Sequence, residues 1–289
     1  MRVDIFFYGG LAATGFGAGL LGALLGLGGG VFVVPALVLG FGMPHLVAVG
    51  TSNVAVVATS TAGASTYVRS RLTNIRLALV LLVSTTLAAL FSSLIASYLP
   101  TQLLSVLFAA VLVYTAFSML RGKRVAPPAF DPEDKRSGTS ARLDLDAAYY
   151  DLASDKVEVY RPRRVRTGAA ISAAAGVVAG LLGVGGGIVQ MPVMNLLMQV
   201  PIKAATGTSN FMVGITATSA AFVRYANGDI DPRIAVPVAL LVFLGARAGS
   251  WLVPRTPSLL LRKIFAYVAL VIAALMLLQG LGIYHAPGR

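Results

Sequence analysis

The 289-residue sequence contains no cysteine, and only 12% of its residues are charged. Without cysteine the chain has no disulfide, no thiolate metal ligand and no cysteine nucleophile. Soluble domains carry roughly 25% charged residues. The low charge, together with 57% hydrophobic residues, therefore indicates a membrane protein. No cleavable signal peptide is predicted, because the first apolar run has about spanning length and no cleavage site follows it.

Carboxylates are missing from the apolar segments of the sequence. The eleven Asp and Glu residues lie at Asp4, at Asp229 and Asp231, and at eight positions in a central polar insert. Intramembrane cation sites and proton relays need such groups, and a membrane hydrolase needs an acid, a base or a metal ligand. The sequence therefore predicts no enzyme, no metal and no cofactor, and it favours an anion as the ligand.

The formal net charge of +12 would indicate a nucleic-acid partner in a soluble protein. Here most basic residues lie in loops between apolar segments, so the positive-inside rule explains the charge and no nucleic acid is predicted. The basic loop around Arg69 and Arg71 and the central insert are predicted to be cytoplasmic. The uncharged turn 99–102 is predicted to face outside, and its basic counterpart around Pro254 is predicted to face inside. Both chain termini would then lie outside.

Ten apolar segments form two halves, each with the order long, short, long, long, long. The short segments, 31–40 and 188–198, are shorter than the roughly 20 residues of a spanning helix. Each follows a glycine cluster, so we predict half-helices of a broken or re-entrant hairpin. The predicted fold class is an all-α polytopic membrane protein made of two inverted halves. The long segments are residues 5–25, 46–68, 77–98, 103–120, 169–182, 204–223, 234–253 and 259–278.

Three regions follow from this pattern: an N-terminal membrane repeat (1–121), a cytoplasmic insert (122–166) and a C-terminal membrane repeat (167–289). The insert mixes both signs of charge and contains three prolines, Pro127, Pro128 and Pro132, in its first part. Its second part, residues 143–160, has alternating polarity and two adjacent tyrosines. A solvated linker and a small hairpin or subdomain remain alternative interpretations of the insert.

Two stretches repeat without a gap at an offset of 157 residues, from Gly26 to Asn53 and from Gly183 to Asn210. They share a glycine triplet, two prolines and the tetrapeptide Gly-Thr-Ser-Asn. An internal repeat in so apolar a chain indicates a transporter of two related halves, each supplying a broken helix to a central site.

The glycine triplets, residues 28–30 and 185–187, permit left-handed backbone and let a ligand approach backbone N–H groups. A helix that begins there directs its positive dipole end at the ligand. Close helix packing through small residues is the alternative, and we favour it for Gly19 and Gly22. The triplets are duplicated and each precedes a short segment, which favours an anion site. A dinucleotide fold is excluded because no strand–helix unit surrounds these glycines.

The two copies of Gly-Thr-Ser-Asn, residues 50–53 and 207–210, are named the GTSN motifs. Each is predicted to open the third segment of its half, because Ser, Thr and Asn cap helix N-termini and donate to oxyanions. Capping alone would explain one copy. Two identical copies, predicted opposite the glycine triplets, suggest paired walls of one pocket, with Asn53 and Asn210 as the main contacts.

Single cations near the ends of apolar segments have two interpretations each. Arg247 lies within an apolar run, so it is either a functional intramembrane charge or a side chain that reaches the interface. Lys203 and His45 precede the GTSN motifs and are interpreted as interfacial, with an entrance role as the alternative. Tyr67 and Arg224 end the third segments and are predicted to be interfacial anchors.

The duplicated glycine and GTSN stretches resemble the paired signatures of the TauE/SafE family of bacterial membrane proteins, over both membrane halves. The family contains exporters of sulfite and of small organosulfur anions such as sulfoacetate, and the resemblance implies such a substrate here. The long insert departs from the family, so no function transfers to it. The substrate-binding residues that the resemblance implies, with Arg247 added from the residues alone, are Gly28, Gly29, Gly30, Thr51, Ser52, Asn53, Gly185, Gly186, Gly187, Thr208, Ser209 and Asn210.

The function expected from these observations is export of a small oxyanion, sulfite or an organosulfonate, by alternating access in a bacterial inner membrane. The expected partners are the oxyanion and the lipid bilayer, and a homo-oligomer is left open. Two alternatives share the same sequence features. One is a passive anion channel with the same site, and the other is a membrane scaffold or sensor in which the basic insert binds an acidic partner or lipid head group.

Overall fold

A computed structural model describes residues 5–121 and 139–280 of the chain as a helix bundle with one β-hairpin. The first half consists of α1 (Ile5–Leu25), α2 (Gly30–Pro35) with a π-helix over Ala36–Gly40, α3 (His45–Arg69), α4 (Ile75–Ala96) and α5 (Thr101–Arg121). The insert adds α6 (Thr139–Arg142), β1 (Ala147–Asp151) and β2 (Lys156–Tyr160). The second half consists of α7 (Val165–Leu182), α8 (Gly187–Pro192) with a π-helix over Val193–Leu197, α9 (Ile202–Ala226), α10 (Pro232–Leu252) with a 3₁₀ turn over Val253–Arg255, and α11 (Ser258–Gly280).

The all-α multi-pass prediction is confirmed, and the element order of each half is the expected long, short, long, long, long. Within the described ranges, five helices are long and apolar enough to cross a membrane. They are His45–Arg69, Ile75–Ala96, Val165–Leu182, Pro232–Arg255 and Leu259–Leu278.

The short helices α2 and α8 both widen into π-helix immediately after a proline. Pro35 and Pro192 have no backbone N–H, and the wider turns that follow each carry an extra residue. The N–H of Met43 donates to the carbonyl of Leu37 at 3.1 Å, and the same bond recurs 157 residues later between Val200 and Met194 at 2.9 Å. Both half-helices therefore end in the same irregular geometry.

Helix packing also repeats at the 157-residue offset. Helix α1 packs along α10, and the equivalent helix α7 packs along α4. Helix α3 packs against its own equivalent α9, as does α5 against α11. Small residues permit the close approaches: a Cβ at Gly19 would overlap the backbone of Val242, and one at Gly176 would overlap Thr85. This confirms the packing role predicted for Gly19.

Helices α3 and α9 run antiparallel at the centre of the bundle. The hydroxyl of Ser60 donates to the carbonyl of Asn210 at 2.6 Å. A Cβ at Gly63 would overlap the Asn210 side chain, and one at Gly214 would overlap Ser60. Residues further along α3 therefore contact residues earlier in α9, as in any antiparallel pair. The start of each helix lies beside the end of the other.

The bundle consequently has two distinct ends. At the cavity end, defined by Ser97 and the loop 227–231, Gly50 near the start of α3 lies against Asp229. At the hairpin end, defined by Leu72, Lys203 and the insert, Gly207 near the start of α9 lies against Leu72. The turns after α4 and α10 are thus at opposite ends. The inverted orientation of the halves in the membrane and the division into three regions stay predictions.

The second part of the insert is a structured unit docked on the hairpin end. Strands β1 and β2 pair antiparallel, with Ala147 opposite Tyr160 and Asp151 opposite Lys156. Tyr149 and Tyr160 are each 2% exposed and belong to the main hydrophobic core with Leu145. The solvated-linker interpretation is therefore wrong for these strands. The three prolines in the first part of the insert, residues 122–138, and both chain termini lie outside the described residues.

Candidate functional site

Two glycine turns lead into the half-helices, and their backbones are matched. Gly28 and Gly29 have φ values of 78° and 76°, and their equivalents Gly185 and Gly186 have 69° and 81°. Glycine adopts this left-handed region without the steric cost that a Cβ imposes. The predicted strained turns are therefore present in both halves, and α2 and α8 begin directly behind them at Gly30 and Gly187.

The turns meet at the centre of the bundle across one pair of equivalent valines. A Cβ added at Gly28 would lie 3.0 Å from Cγ1 of Val56, and one added at Gly185 would lie 2.8 Å from the same atom. Both added atoms would overlap Cγ1 of Val213. Since Val56 and Val213 are both 0% exposed, the side chains between the turns form a closed contact in this conformation.

Each GTSN serine closes the glycine turn of the opposite half. Ser52 Oγ donates to the carbonyl of Gly183 at 2.7 Å, and Ser209 Oγ donates to the carbonyl of Gly26 at 2.9 Å. The prediction that the GTSN motifs open the third helices is wrong. The N-caps of those helices are Pro44 and Pro201, and the motifs lie in the second and third turns. Proline fixes φ near −65° and therefore suits a helix start.

The GTSN motifs do not form facing walls of one pocket. Asn210 lies beside Ser60 and Gly63, which are seven and ten residues beyond Asn53 on α3. At 1.5 Å per residue this places the two asparagines about 10–15 Å apart along the helix axis. The structure therefore contains two separate polar clusters, one at each side of the valine pair. Thr51, Ser52, Asn53, Thr208, Ser209 and Asn210 are all 0% exposed.

Several of these buried polar groups have no hydrogen-bond partner among the described residues. They include both side-chain amide atoms of Asn53 and the hydroxyl of Thr51. Thr208, the equivalent of Thr51, instead accepts a bond of 3.0 Å from the backbone N–H of Asn74. Buried polar atoms are normally satisfied, so unpaired ones mark places where a polar ligand or water can bind.

The structure does not bring Arg247 to the glycine turns. Its side chain is exposed on the outer face of α10, beside an open cavity of about 440 Å³ lined by Leu244, Ala248, Trp251 and Leu252. This position matches the interpretation of a side chain that reaches the interface. In this conformation Arg247 contacts neither the glycine turns nor the polar clusters beside them.

The sequence-based prediction missed Gln190 and the burial of Arg224 and Lys203. Gln190 in α8 is 0% exposed and neither amide atom has a partner among the described residues. A signal in the sequence was available, since Gln190 is one of only two amides in the short apolar segment 188–198. Arg224 and Lys203, predicted to be interfacial, are each 0% exposed, because other parts of the chain cover them.

Lys203 at the hairpin end forms a buried ion pair with the insert. Its Nζ lies 2.5 Å from Oδ1 of Asp151 and donates to the carbonyl of Pro254 at 3.0 Å. Burial alone raises the pKa of the Asp151 carboxyl, but bonds from Lys203 and the Ala153 N–H hold that pKa below its usual value. Asp151 is therefore ionised at neutral pH. The neighbouring Tyr149 also has a raised pKa, because of its burial and its bond to Glu158.

Within residues 5–121 and 139–280, no three His, Asp or Glu side chains are grouped in a way that could hold a metal ion. Among the described residues, the two polar clusters beside the valine pair offer only hydroxyls, amides and backbone groups. Such groups donate to and accept from a polar ligand but supply no general acid or base.

Comparison with known proteins gives a family for this arrangement. The profile of the family described as "Sulfite exporter TauE/SafE" matches residues 11–276. The chain is 22% identical over 278 residues to the "Probable membrane transporter protein YunE" of Bacillus subtilis (strain 168), covering 94% of this chain and 97% of that protein. It is 27% identical over 265 residues to a "Probable membrane transporter protein" of Xylella fastidiosa (strain 9a5c), covering 90% and 89%. No solved structure matches the chain.

The family, its relatives and the five candidate spans describe a multi-pass membrane transporter and not an enzyme. A bacterial inner membrane is consistent with the sources of the bacterial relatives. The paired glycine turns and GTSN motifs that carried the resemblance lie inside the matched range. The chain belongs to the Sulfite exporter TauE/SafE family of membrane transporters.

Proposed function

We propose that the protein exports a small oxyanion, with sulfite or an organosulfonate such as sulfoacetate as the first candidates, by alternating access of its two halves. The observation that carries this proposal is the meeting of the two glycine turns at Val56 and Val213. Helices begin directly behind both turns, and the first N–H groups of a helix have no partner within it.

The polar groups near the turns suit an anion that is held without a full counter-charge. Asn53 and Gln190 are fully buried, and their amide atoms are unpaired among the described residues. An amide N–H₂ donates to an oxyanion, and a helix start adds a favourable dipole. Carboxylates, which would repel such a substrate, are absent from the described parts of α2, α3, α8 and α9.

Transport requires the valine contact to open. Val56 lies on α3 and Val213 on α9, so a movement of one half against the other separates the two side chains and exposes the turns to one end. The bond from Ser52 to Gly183 and that from Ser209 to Gly26 link the halves and break or re-form in the same movement. The conformation described is then the closed state between two open ones.

Flux of sulfite, sulfate and acetate into proteoliposomes tests the proposal. We expect protein-dependent, saturable flux of sulfite, and counterflow of labelled substrate. The absence of flux for every oxyanion would refute it, and ohmic currents without counterflow would assign the protein to the channels instead.

Apolar substitutions at the unpaired amides locate the site. Asn53→Leu and Gln190→Leu remove buried amides that have no partner, so the fold should keep its stability or gain some. Flux should nevertheless fall about tenfold or more, as expected for a lost hydrogen bond to a charged ligand. Asn195→Leu is the control: its amide donates to the Val200 carbonyl at 3.0 Å, so stability should fall. Wild-type flux in both site variants would remove the central site from the mechanism.

A further inference from the structure

We propose that Arg224 forms a second oxyanion site at the cavity end, a station on the path of the anion that is separate from the glycine turns. The inference rests on the proposed function for the identity of the anion only. It is carried by a buried guanidinium whose second edge has no partner among the described residues, together with a cavity lined by the two residues that bind its first edge.

Arg224 lies near the C-terminal end of α9 with its side chain 0% exposed. Its Nη1 donates to Ser97 Oγ at 3.2 Å and lies 3.1 Å from Asp229 Oδ2. Its Nε and Nη2 are buried and have no hydrogen-bond partner within residues 5–121 and 139–280. A buried cation with two unpaired donors is costly, so this arrangement calls for an acceptor.

The unpaired edge of the Arg224 guanidinium, formed by Nε and Nη2, is one that can bind two oxygens of one oxyanion at the same time. Nε and Nη2 of a guanidinium point the same way and match two oxygens of a carboxylate, sulfonate or phosphate. Arg161 of the same chain shows the geometry: its Nε and Nη2 donate to Asp146 at 3.0 Å and 2.8 Å. The equivalent edge of Arg224 has the same chemistry, but no carboxylate of the described residues binds it.

A cavity of about 410 Å³ lies at this end of the bundle; Arg224 is not one of its lining residues but is held by two of them. Ser97 and Asp229, the two groups that bind Nη1, both belong to its wall. Asn227 Nδ2 lies 3.4 Å from Ser97 Oγ and adds a donor to the same wall. The volume falls in the range of small-ligand sites, and it is sufficient for a small organosulfonate. Leu46, Leu94 and Tyr98 complete the lining.

The equivalent position in the first half shows that the fold does not need this arginine. Tyr67 lies 157 residues earlier, is also 0% exposed, and donates its hydroxyl to the carbonyl of Ala23 at 2.7 Å. A neutral side chain with a satisfied hydroxyl therefore closes the corresponding end of α3. Of these two equivalent positions, only the one in the second half carries a charge, and it lies at the cavity end.

Asp229 has a defined role in this site. Its carboxylate neutralises Arg224 when no anion is bound, and it repels an anion that approaches the same guanidinium. Removal of the Asp229 charge should therefore tighten anion binding, whereas loss of a merely structural ion pair would not.

Binding of sulfite, sulfoacetate and sulfate to the purified full-length protein, measured by calorimetry, tests the site. Arg224→Lys keeps the charge but loses the paired edge, and we expect about tenfold weaker binding. Asp229→Asn should bind several-fold tighter. Arg233→Gln, an exposed cation near the same loop, is the matched control and should bind as the wild type does.

Unchanged affinity in a folded Arg224→Lys variant would overturn the proposal. If that variant does not fold, unchanged or weaker binding by Asp229→Asn overturns it instead. Flux measurements separate the two proposals. A protein that binds sulfite through Arg224 but moves none would refute the export function alone. Normal flux with an unchanged half-saturation concentration in Arg224→Lys would refute this site alone.

Discussion

Leu46, Ser97 and Asp229 line an open cavity at one end of the bundle, whereas their equivalents 157 residues away in the repeat are buried at the other end. Those equivalents are Lys203, Pro254 and Leu72. Lys203 binds Asp151 of β1, and Leu72 shares the main core with Tyr149 and Tyr160. The difference between the ends therefore comes from the insert, which fills the place where the other end keeps a cavity.

The helix packing at the two ends comes from the repeat, whereas the difference in their side chains comes from the insert. Both ends have the same helix crossings and the same close approach of a glycine on α3 or α9 to the opposite loop. The insert supplies a carboxylate and two aromatic rings to the hairpin end only. The asymmetry of the two ends is thus a property of residues 139–160 and of the few side chains that meet them.

The largest effect should follow from Asp151→Ala, which leaves the buried ammonium of Lys203 unpaired. Removing one partner of a buried ion pair costs about 3–5 kcal/mol. We expect a clear drop in the thermal unfolding temperature and protease cleavage within residues 147–160.

Two further variants control this experiment. Asp144→Ala breaks an exposed ion pair with Arg76 and should change stability by less than about 1 kcal/mol. The double variant Asp151→Leu with Lys203→Leu removes both charges and should recover most of the loss. A destabilised double variant would show that the ion pair itself, and not its unpaired lysine, determines the stability.

The next effect compares one glycine at each end. A Cβ at Gly50 would overlap the backbone carbonyl of Asp229, whereas a Cβ at Gly207 would lie 3.2 Å from Leu72. Gly50→Ala should therefore cost about 1–3 kcal/mol, and Gly207→Ala clearly less, since the contact at Gly207 is longer and needs a smaller shift of its neighbour. Thermal unfolding of the two variants measures the difference, and equal losses would contradict the tighter packing inferred at the cavity end.

A smaller effect compares the two GTSN threonines. Thr208 accepts a hydrogen bond from Asn74, while the hydroxyl of Thr51 has no partner within the described chain. Thr208→Val should cost about 1 kcal/mol, and Thr51→Val should be neutral or slightly stabilising. Denaturation of both variants side by side checks this, and a larger loss at Thr51 would reveal a partner for that hydroxyl.

The smallest effect concerns pH at the hairpin end. The pKa of Asp151 is lowered from its usual 3.8, so its stabilising charge is fully present above that value and is lost only as the pH falls through the lower, folded-state pKa. Protease resistance of the hairpin should therefore stay constant between pH 7 and 5. An Asp151→Asn variant should lose that resistance at both values, and pH-dependent cleavage in the wild type would contradict the assignment.

The helices were predictable because apolar runs and glycine or proline punctuation are local signals. Residues 5–25 were predicted as the first helix and are α1, and the short segment 188–198 corresponds to α8 with its π-helix. The meeting of the glycine turns followed from the repeat, because equivalent backbone breaks in related halves face a common axis.

Contacts between residues far apart in the sequence could not be predicted from local sequence patterns. The burial of Lys203 depends on Asp151, 52 residues away, and that of Arg224 involves Ser97, 127 residues away. The GTSN error had another cause. Pro44 and Pro201 are the N-caps of the two helices. The hydroxyl and amide side chains of the GTSN motifs are typical of N-caps as well, which is why the helix starts were predicted there. Their serines instead cap carbonyls of the opposite half, which no pattern within one segment indicates.

The reciprocal serine bonds have a consequence for how the two halves are held together. Ser52 donates to the carbonyl of Gly183, and Ser209 donates to the carbonyl of Gly26, so each half satisfies a carbonyl at the break of the other half. Two identical copies of one half, related by a two-fold axis, would exchange the same bonds. The two serine bonds therefore join the halves as a self-complementary interface joins two subunits, but within a single chain.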